Sequence, residues 1–361
     1  MVASLGERLR KLPGPVLITG HTGFKGTWLT LLFERLGVPV VGLSLPPLPN
    51  SLFDRANRTG AVTETFADIR NFSDVSEFMA THNPSAIVHM AAQPLVLESY
   101  KIPRETFETN VMGTVNLLDA AFVSRCVEGV VVVTTDKVYR NDNSGIKFKE
   151  SDALAGKDPY SASKVGTESA VAAWQQISKI SGGPRVVAAR AGNVIGGGDW
   201  ANDRIIPDLI RGFSTNSKIV VRNPRSTRPW QHVLDPLLGY VMLLEAILNG
   251  QDLTAVNFGP ESESLSVSEV VDIAKENWPS PTSVEYAEGI EEEAAEAIAL
   301  QLDSEKARDS LKWNCAWSQS ESVASTIKWW DRVLNESISP KVACEADIDI
   351  LLEKVVSLGI S

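Results

Sequence analysis

Two clusters of residues have the types and spacing of a site that moves protons and hydride. Tyr160 and Lys164 stand four apart, so on a helix they share one face. A tyrosine titrates near pKa ~10, too high for a base at neutral pH, and a neighbouring ammonium favours its anion. Lys164 is the cation this spacing supplies. The second cluster, Thr134-Thr135-Asp136-Lys137, follows the apolar run Gly129 to Val133, at the end where open α/β sheets place their ligands. Thr135 can bond a substrate hydroxyl beside Tyr160. Asp136 offers a separate proton donor that simple alcohol oxidation does not require, which suggests elimination. The alternative is that Asp136 caps the next turn with Lys137 as its ion partner.

Such clusters need a frame, and the chain reads as one. Val16-Leu17-Ile18-Thr19 is a short apolar strand, followed by a turn with Gly20, Gly23 and Gly26, then the helical pattern Thr27 to Leu36, Gly37 as its stop, and the strand Val38 to Leu43. The glycines suit a tight turn, a close approach of pyrophosphate, and close helix-strand packing, with the helix N-terminus facing the anion. Dinucleotide binding follows. Further strands at Ala86 to Met90, Gly129 to Val133 and Val186 to Arg190 alternate with helices at Pro103 to Val123 and Tyr160 to Ile177. The fold class is therefore α/β, a Rossmann-like doubly wound parallel sheet with a smaller α/β C-terminal domain. The expected division is 1–190 for the NAD-binding domain, with a return to it around 228–258, and 191–361 mainly for substrate. Ser44 occupies the position where an acid often bonds the ribose, leaving NAD or NADP open. Asp68, followed by Ile69, is a candidate for the adenine amino group, or a plain loop carboxylate. His89 reads as structural.

Composition limits the partners. The 361 residues are 43% hydrophobic and 22% charged, enough for a large core, and 45 acidic against 34 basic residues give −11, which argues against a general nucleic-acid surface. Cys126, Cys315 and Cys344 are too scattered for a disulfide framework, and His21, His82, His89 and His232 show no paired spacing, so no metal is expected. No apolar run approaches the roughly 18 residues of a membrane span. A cytoplasmic location and no membrane partner are expected. The acidic stretch Glu288 to Ala297 reads as a solvated face, and the tail from Ala343 to Ile360 as a helix packed on the body.

Longer strings carry a resemblance: TGHTGFKGTW (Thr19 to Trp28), HMAAQPLV (His89 to Val96), NVMGT (Asn110 to Thr114), RAGNVIGGGDW (Arg190 to Trp200) and RPWQHVL (Arg228 to Leu234). Together with the two clusters, the chain resembles the extended short-chain dehydrogenase/reductase family, and within it the nucleotide-sugar 4,6-dehydratases, most closely the CDP-glucose group. The pair Asp136-Lys137 resembles that group, where many other dehydratases carry Asp-Glu. The resemblance implies a lyase using NAD, with Thr135, Asp136, Lys137, Tyr160 and Lys164 catalytic. It implies cofactor contacts from Gly20, Thr22, Gly23, Phe24, Lys25, Gly26, Asp68, Ile69, Ala91, Ala92, Gln93, Asn110, Tyr160 and Lys164. Substrate contacts are implied for Gln93, Asn193, Arg204, Arg222, Arg228 and His232, with Arg222 and Arg228 as forked phosphate ligands. Arg204 pairing with Asp208 is the alternative for that residue. Trp230 reads as core. Leu97 departs from the family's usual arginine. A homodimer or homotetramer is implied, the dimer through the helices around 103–123 and 160–177. A 4-epimerase shares the glycine loop and Tyr160-Lys164 but has no need of Asp136. A non-catalytic dinucleotide sensor would be expected to lose the tyrosine or lysine.

Overall fold

Seven short segments form one parallel sheet: β1 (Val16–Thr19), β2 (Val40–Ser44), β3 (Thr63–Phe66), β4 (Ala86–His89), β5 (Gly129–Val133), β6 (Arg185–Ala191) and β7 (Ala255–Phe258). The computed structural model describes residues 5–143, 145–201, 204–221, 223–262, 264–280, 283–286 and 300–359. The spatial order is β7-β6-β5-β4-β1-β2-β3, with Thr19 in register with both Leu43 and His89. Strand order reverses between β1 and β4, and open α/β sheets bind ligands outside the carboxyl ends at such a point. The Gly20 loop leaves β1 there, and Thr134 to Lys137 leave β5 two strands away.

The principal helices are α1 (Phe24–Leu36), α2 (Phe72–His82), α3 (Gly113–Ser124), α4 (Pro159–Ser181), α5 (Ile205–Thr215), α6 (Leu234–Leu248), α7 (Val267–Glu276), α8 (Gln319–Leu334) and α9 (Pro340–Ser357). Alternate strand residues face opposite sides, so Val16 and Ile18 join a core built with α1, α6, α8 and α9, while Leu17 joins one built with α2 and α3. Local chemistry sets the helix ends. Asp158 accepts from the Ser161 amide at 2.9 Å and Pro159 occupies the first turn of α4. Gly37 stops α1 with φ +67°.

Beyond β6 the chain builds short two-stranded pairs, Val194–Ile195 with Gln231–His232, Thr227–Arg228 with Leu265–Ser266, and Ile219–Val221 with Val284–Tyr286. It returns to the main sheet through α6, which packs on β5 and β6, and through β7 beside β6. The tail helix α9 buries Ala343, Cys344, Ile348, Leu351 and Leu352 and packs on α1. Glu288 to Ala297 lies outside the described residues. Among the described residues no helix is long and apolar enough to cross a membrane, and no cluster of His, Cys, Asp and Glu could hold a metal ion.

One helix differs from expectation. The continuous helix Pro103 to Val123 is instead α-helical at Pro103–Phe107, π-helical at Glu108–Met112, and α-helical again in α3. The Asn110 carbonyl accepts the hydroxyls of Thr114 and Thr167, both at 2.7 Å, and Gly113 lies against Ile69, where a Cβ would come within 2.5 Å of Cδ1. These contacts accompany the wider turn, and π-turns of this kind frequently sit at functional sites.

Candidate active site

The glycine loop requires glycine at two of its three positions. Gly20 has φ +73°, and a Cβ there would meet the Ala91 amide nitrogen at 2.8 Å, while a Cβ on Gly26 would meet the Gly20 carbonyl oxygen at 2.1 Å. These contacts clamp the loop between the end of β4 and its own helix. Gly23 caps α1 without a side-chain hydrogen bond and is exposed, so the helix N-terminus is open toward an anion. At the end of β2, Ser44 and Thr22 share a hydrogen bond at 2.7 Å, and Thr22 donates to the Leu45 carbonyl at 3.0 Å. An open helix terminus above a Gly-clamped loop at the switch point fits a dinucleotide.

The far wall of that cleft is held by Asn110. Its carboxamide accepts from the Gln93 amide at 2.8 Å and donates to the Gln93 carbonyl at 3.1 Å and to Ser163 Oγ at 2.9 Å. Fully buried Asn110 thus ties the loop after β4, with Ala91, Ala92 and Gln93, to α4; its polar atoms are engaged within the protein rather than offered to a ligand. His89 bonds Thr19 at 2.6 Å and Thr114 at 3.0 Å, and burial keeps its imidazole neutral, with the pKa down to about 3. It is structural. Asp68 is engaged by Arg70, the nearest contact being 2.6 Å, and this hydrogen bond lowers its pKa; Ile69 is buried beside α3.

The reactive residues converge at the ends of β5 and β6. Thr135 donates to Asp136 Oδ1 at 2.9 Å, and Lys137 Nζ approaches the same oxygen at 3.5 Å. The second carboxylate oxygen of Asp136 faces Gly192, and the side chain is nearly inaccessible. Lys137 also donates to Asn193 Oδ1 at 3.3 Å, so Asn193, just past β6, joins the cluster. Of the roles weighed for Asp136 and Lys137 the ion pair is present, but the cap of the short 3-10 turn is Thr135, whose hydroxyl accepts the Lys137 N–H, and not Asp136. Tyr160 projects from the first turn of α4, its amide anchored by Ser99 Oγ at 3.1 Å. Burial raises its phenol pKa, and the Lys137 charge and a hydrogen bond with Thr135 oppose that rise.

Lys164 Nζ donates to the Val133 carbonyl at 3.1 Å, and the Lys137 and Arg204 charges favour the Tyr160 phenolate. Burial brings the Lys164 ammonium down to about 8, with the Glu168 charge opposing. Glu168, one helical turn further along the same face, is a residue the sequence reading missed. It accepts from Thr134 Oγ1 at 2.5 Å and from Arg190 at 2.8 and 2.9 Å, bracing β5, β6 and α4 behind the reactive strand. The repeat Tyr160, Lys164, Glu168 was the available signal. Arg190 adds bonds to the Tyr139 hydroxyl at 2.8 Å and the Glu150 carbonyl at 3.1 Å.

Other expected substrate residues separate on folding. Arg204 pairs with Asp199 at 2.7 Å, not with Asp208, which pairs with Arg211 instead; the intervening turn carries Asp208 into α5. Arg204 nevertheless stays close enough for its charge to act on Tyr160 and Lys25. His232 does not reach the cleft. It is fully buried between Trp28 and Trp317, 3.8 Å from Asp347, and burial keeps it neutral with its pKa down to about 3. Arg228 donates to the Thr227 carbonyl at 2.8 Å on its own short strand. Trp230 is core, its indole N–H bonding the Leu265 carbonyl at 3.2 Å. Arg222 lies outside the described residues. Leu97 is exposed in the short helix Val96–Lys101.

Comparison with known proteins agrees with this geometry. A model of the NAD dependent epimerase/dehydratase family matches residues 16–259. A CDP-glucose 4,6-dehydratase of Salmonella typhimurium is 39% identical over 324 residues, covering 87% of this chain and 89% of that protein. A UDP-glucose 4-epimerase of Rhizobium leguminosarum bv. trifolii is 31% identical over 338 residues, covering 87% and 96%. Among solved structures, MoeE5 in complex with UDP-glucose and NAD superposes with a TM-score of 0.75 at 25% identity, covering 89% of this chain and all of that one.

Proposed function

We propose that this chain, which belongs to the NAD dependent epimerase/dehydratase family, is a nucleotide-sugar 4,6-dehydratase that converts CDP-glucose to CDP-4-keto-6-deoxyglucose and water. The observation that carries the reading is Asp136, a buried carboxyl paired with Lys137 and joined to Tyr160 through Thr135. A 4-epimerase, the second reading, needs the tyrosine but gives this acid nothing to do.

The Gly20 to Gly26 loop, the N-terminus of α1, Thr22 and Ser44 would hold NAD, which would supply a reversible acceptor for the hydride exchanged between C4 and C6. The protein's own groups account for every proton. Tyr160, with Thr135 aligning the sugar, receives the C4 hydroxyl proton. The resulting ketone acidifies the C5–H. The Asp136–Lys137 pair is one proton shift away from a carboxylic acid beside a neutral amine. In that form Lys137 takes the C5 proton while Asp136 protonates the departing C6 hydroxyl, so water leaves and the ion pair remains. Lys137 then returns its proton to C5 as C6 is reduced. One proton is left on Tyr160 and one is missing from Asp136; the Thr135 hydroxyl, bonded to both, provides the path that resets the site.

Asn193 beside Lys137 and Arg204 beside Asp199 are assigned to the sugar and phosphate side, and residues 191–361 supply most of that half. Lys164 and Glu168 are assigned to positioning, and Arg228 is retained as a phosphate candidate. The exposed apolar residues Val123, Ile177 and Ile180 on α3 and α4 support a homodimer through these helices, testable by light scattering at micromolar concentration. Three unpaired cysteines suit a reducing, cytoplasmic setting.

The deciding experiment is mass spectrometry of the protein incubated with NAD and, separately, CDP-, dTDP-, UDP- and GDP-linked hexoses. Loss of one water from CDP-glucose is expected. Conversion between C4 epimers with no water loss would replace the dehydratase reading with the epimerase.

A further inference from the structure

The buried face of α9 is apolar except for one carboxylate. Asp347 lies among Ala343, Cys344, Ile348, Leu351 and Val355 and is 1% exposed. Its Oδ1 accepts from Arg332 on α8 at 2.5 Å, and its Oδ2 faces His232 Nε2 at 3.8 Å. Among the described residues neither of these two facing atoms has a hydrogen-bond partner. The Leu234 amide donates to His232 Nδ1 at 3.4 Å, so the neutral imidazole carries its proton on Nε2 and turns a donor toward the carboxylate. Asp347 thus faces donors from two elements, Arg332 on α8 and His232 on the short strand before α6. Burying this charge is costly, and an apolar residue of similar volume would dock the helix as firmly. What the carboxylate adds is a fixed position for His232.

That position bears on the substrate side of the cleft. Gln231–His232 pairs in parallel with Val194–Ile195, His232 standing opposite Ile195, and the Val233 amide donates to the Ile195 carbonyl at 2.8 Å. Asn193, the residue before this pair, accepts from Lys137 at 3.3 Å. Two residues beyond the pair, Gly197 is held between α1 and α8. Its carbonyl accepts the Trp28 indole N–H at 3.0 Å, and a Cβ on it would lie 1.9 Å from the Trp329 ring. Asp199 follows and pairs with Arg204. We propose that Asp347 is a positioning residue for substrate binding: through His232 the tail helix fixes the segment 193–199, which carries Asn193 and, through Asp199, Arg204. The inference rests on the assignment of those two side chains to the substrate side, and not on which sugar is dehydrated.

The test is amide hydrogen exchange, read by mass spectrometry on the full-length protein without ligand, for the wild type, Asp347→Asn, His232→Phe and the double variant. Asparagine keeps the volume but offers one acceptor oxygen to two donors. In Asp347→Asn, exchange in peptides covering 193–199 and 231–234 is expected to quicken about 10-fold or more, the scale of one lost bond to a charged group, while β1, β4 and β5 keep their protection. His232→Phe should quicken the same two segments and leave α9 protected, and adding Asp347→Asn to it should change α9 alone. Unchanged exchange at 193–199 in Asp347→Asn would overturn the proposal, as would faster exchange throughout the sheet, which marks simple loss of stability. Should Asp347→Asn not fold, native-state exchange of the wild type in low urea decides. There α9, 231–234 and 193–199 should open together below global unfolding, and α9 opening alone would overturn the coupling. Calorimetry supplies the functional readout: CDP-glucose affinity of Asp347→Asn, measured without NAD, should fall about 10-fold with NAD affinity kept, the ordinary scale of coupling between sites. Equal loss of both affinities would refute a substrate-side role. If the wild type binds none of the CDP-, dTDP-, UDP- and GDP-linked hexoses, the dehydratase reading fails, and the exchange result still judges the coupling of α9 to 193–199.

Discussion

Replacing Glu168 with Gln isolates the brace behind the reactive strand. Glu168 and Arg190 are each 6% exposed, joined at 2.8 Å, and a second guanidinium bond of 2.9 Å and the Thr134 hydroxyl at 2.5 Å complete the carboxylate's partners. Glutamine keeps the volume and one acceptor oxygen but removes the charge and turns an amide N–H₂ toward the guanidinium. Arg190 would retain at most one bond to the carboxamide oxygen, beside the neutral Tyr139 hydroxyl and Glu150 carbonyl. Two hydrogen bonds to charged groups at about 1.5–3 kcal/mol each give a gross loss of about 3–6 kcal/mol. Removing one partner of a buried pair costs about 3–5 kcal/mol by independent measure. Because one acceptor survives, the expectation is a loss of about 3 kcal/mol, read as the shift in urea unfolding midpoint without ligand. The double variant Glu168→Leu with Arg190→Met should recover most of this loss, since an apolar pair leaves no stranded charge. A loss under about 1 kcal/mol in Glu168→Gln, or a double variant as unstable as both single changes summed, would refute the reasoning.

Tyr160→Phe should abolish oxidation at C4, seen as no NADH absorbance on adding substrate to the NAD-loaded protein; substrate turnover in that variant would mean another base. Asp136→Asn should let reduced cofactor accumulate while water loss slows by about 10²-fold, the usual scale for a lost general acid; equal slowing of both steps would contradict its role. Asp235 provides a pH prediction for stability. Burial pushes its carboxyl up to about 8, although Oδ1 accepts the Ala316 amide at 2.6 Å. Between the unfolded value near 3.9 and that raised one, the native state binds the extra proton, so this group makes stability fall as pH rises. Unfolding midpoints at about pH 5 and pH 8 should therefore diverge more in the wild type than in Asp235→Asn, and an identical pH response would show Asp235 to be ionised throughout.

Most of the sheet was legible because its inner strands are short, apolar and buried, whereas β3, Thr-Glu-Thr-Phe at the edge, is largely exposed. The glycine loop was legible for a different reason: Gly20 and Gly26 answer local steric demands that hardly depend on the rest of the chain. The helical spacing of Tyr160 and Lys164 was legible too, but not the direction of their charges. Lys164 donates to the Val133 carbonyl, and the Lys137 charge also acts on the phenol. The π-turn at Glu108–Met112 escaped because it accompanies a hydroxyl arriving from Thr167, 57 residues away from Asn110.

Local order thus determined which residues are available, while tertiary structure decided what each is used for. His232 shows the division clearly: sequence placed it in a string resembling a substrate segment, and packing enclosed it between two tryptophans. Lys25 shows the reverse, a loop residue whose ammonium is carried to Tyr240, 215 positions along the chain. The physical reason is range. Turn sterics and helix periodicity act over a few residues, whereas desolvation and Coulomb coupling depend on which elements the fold brings together.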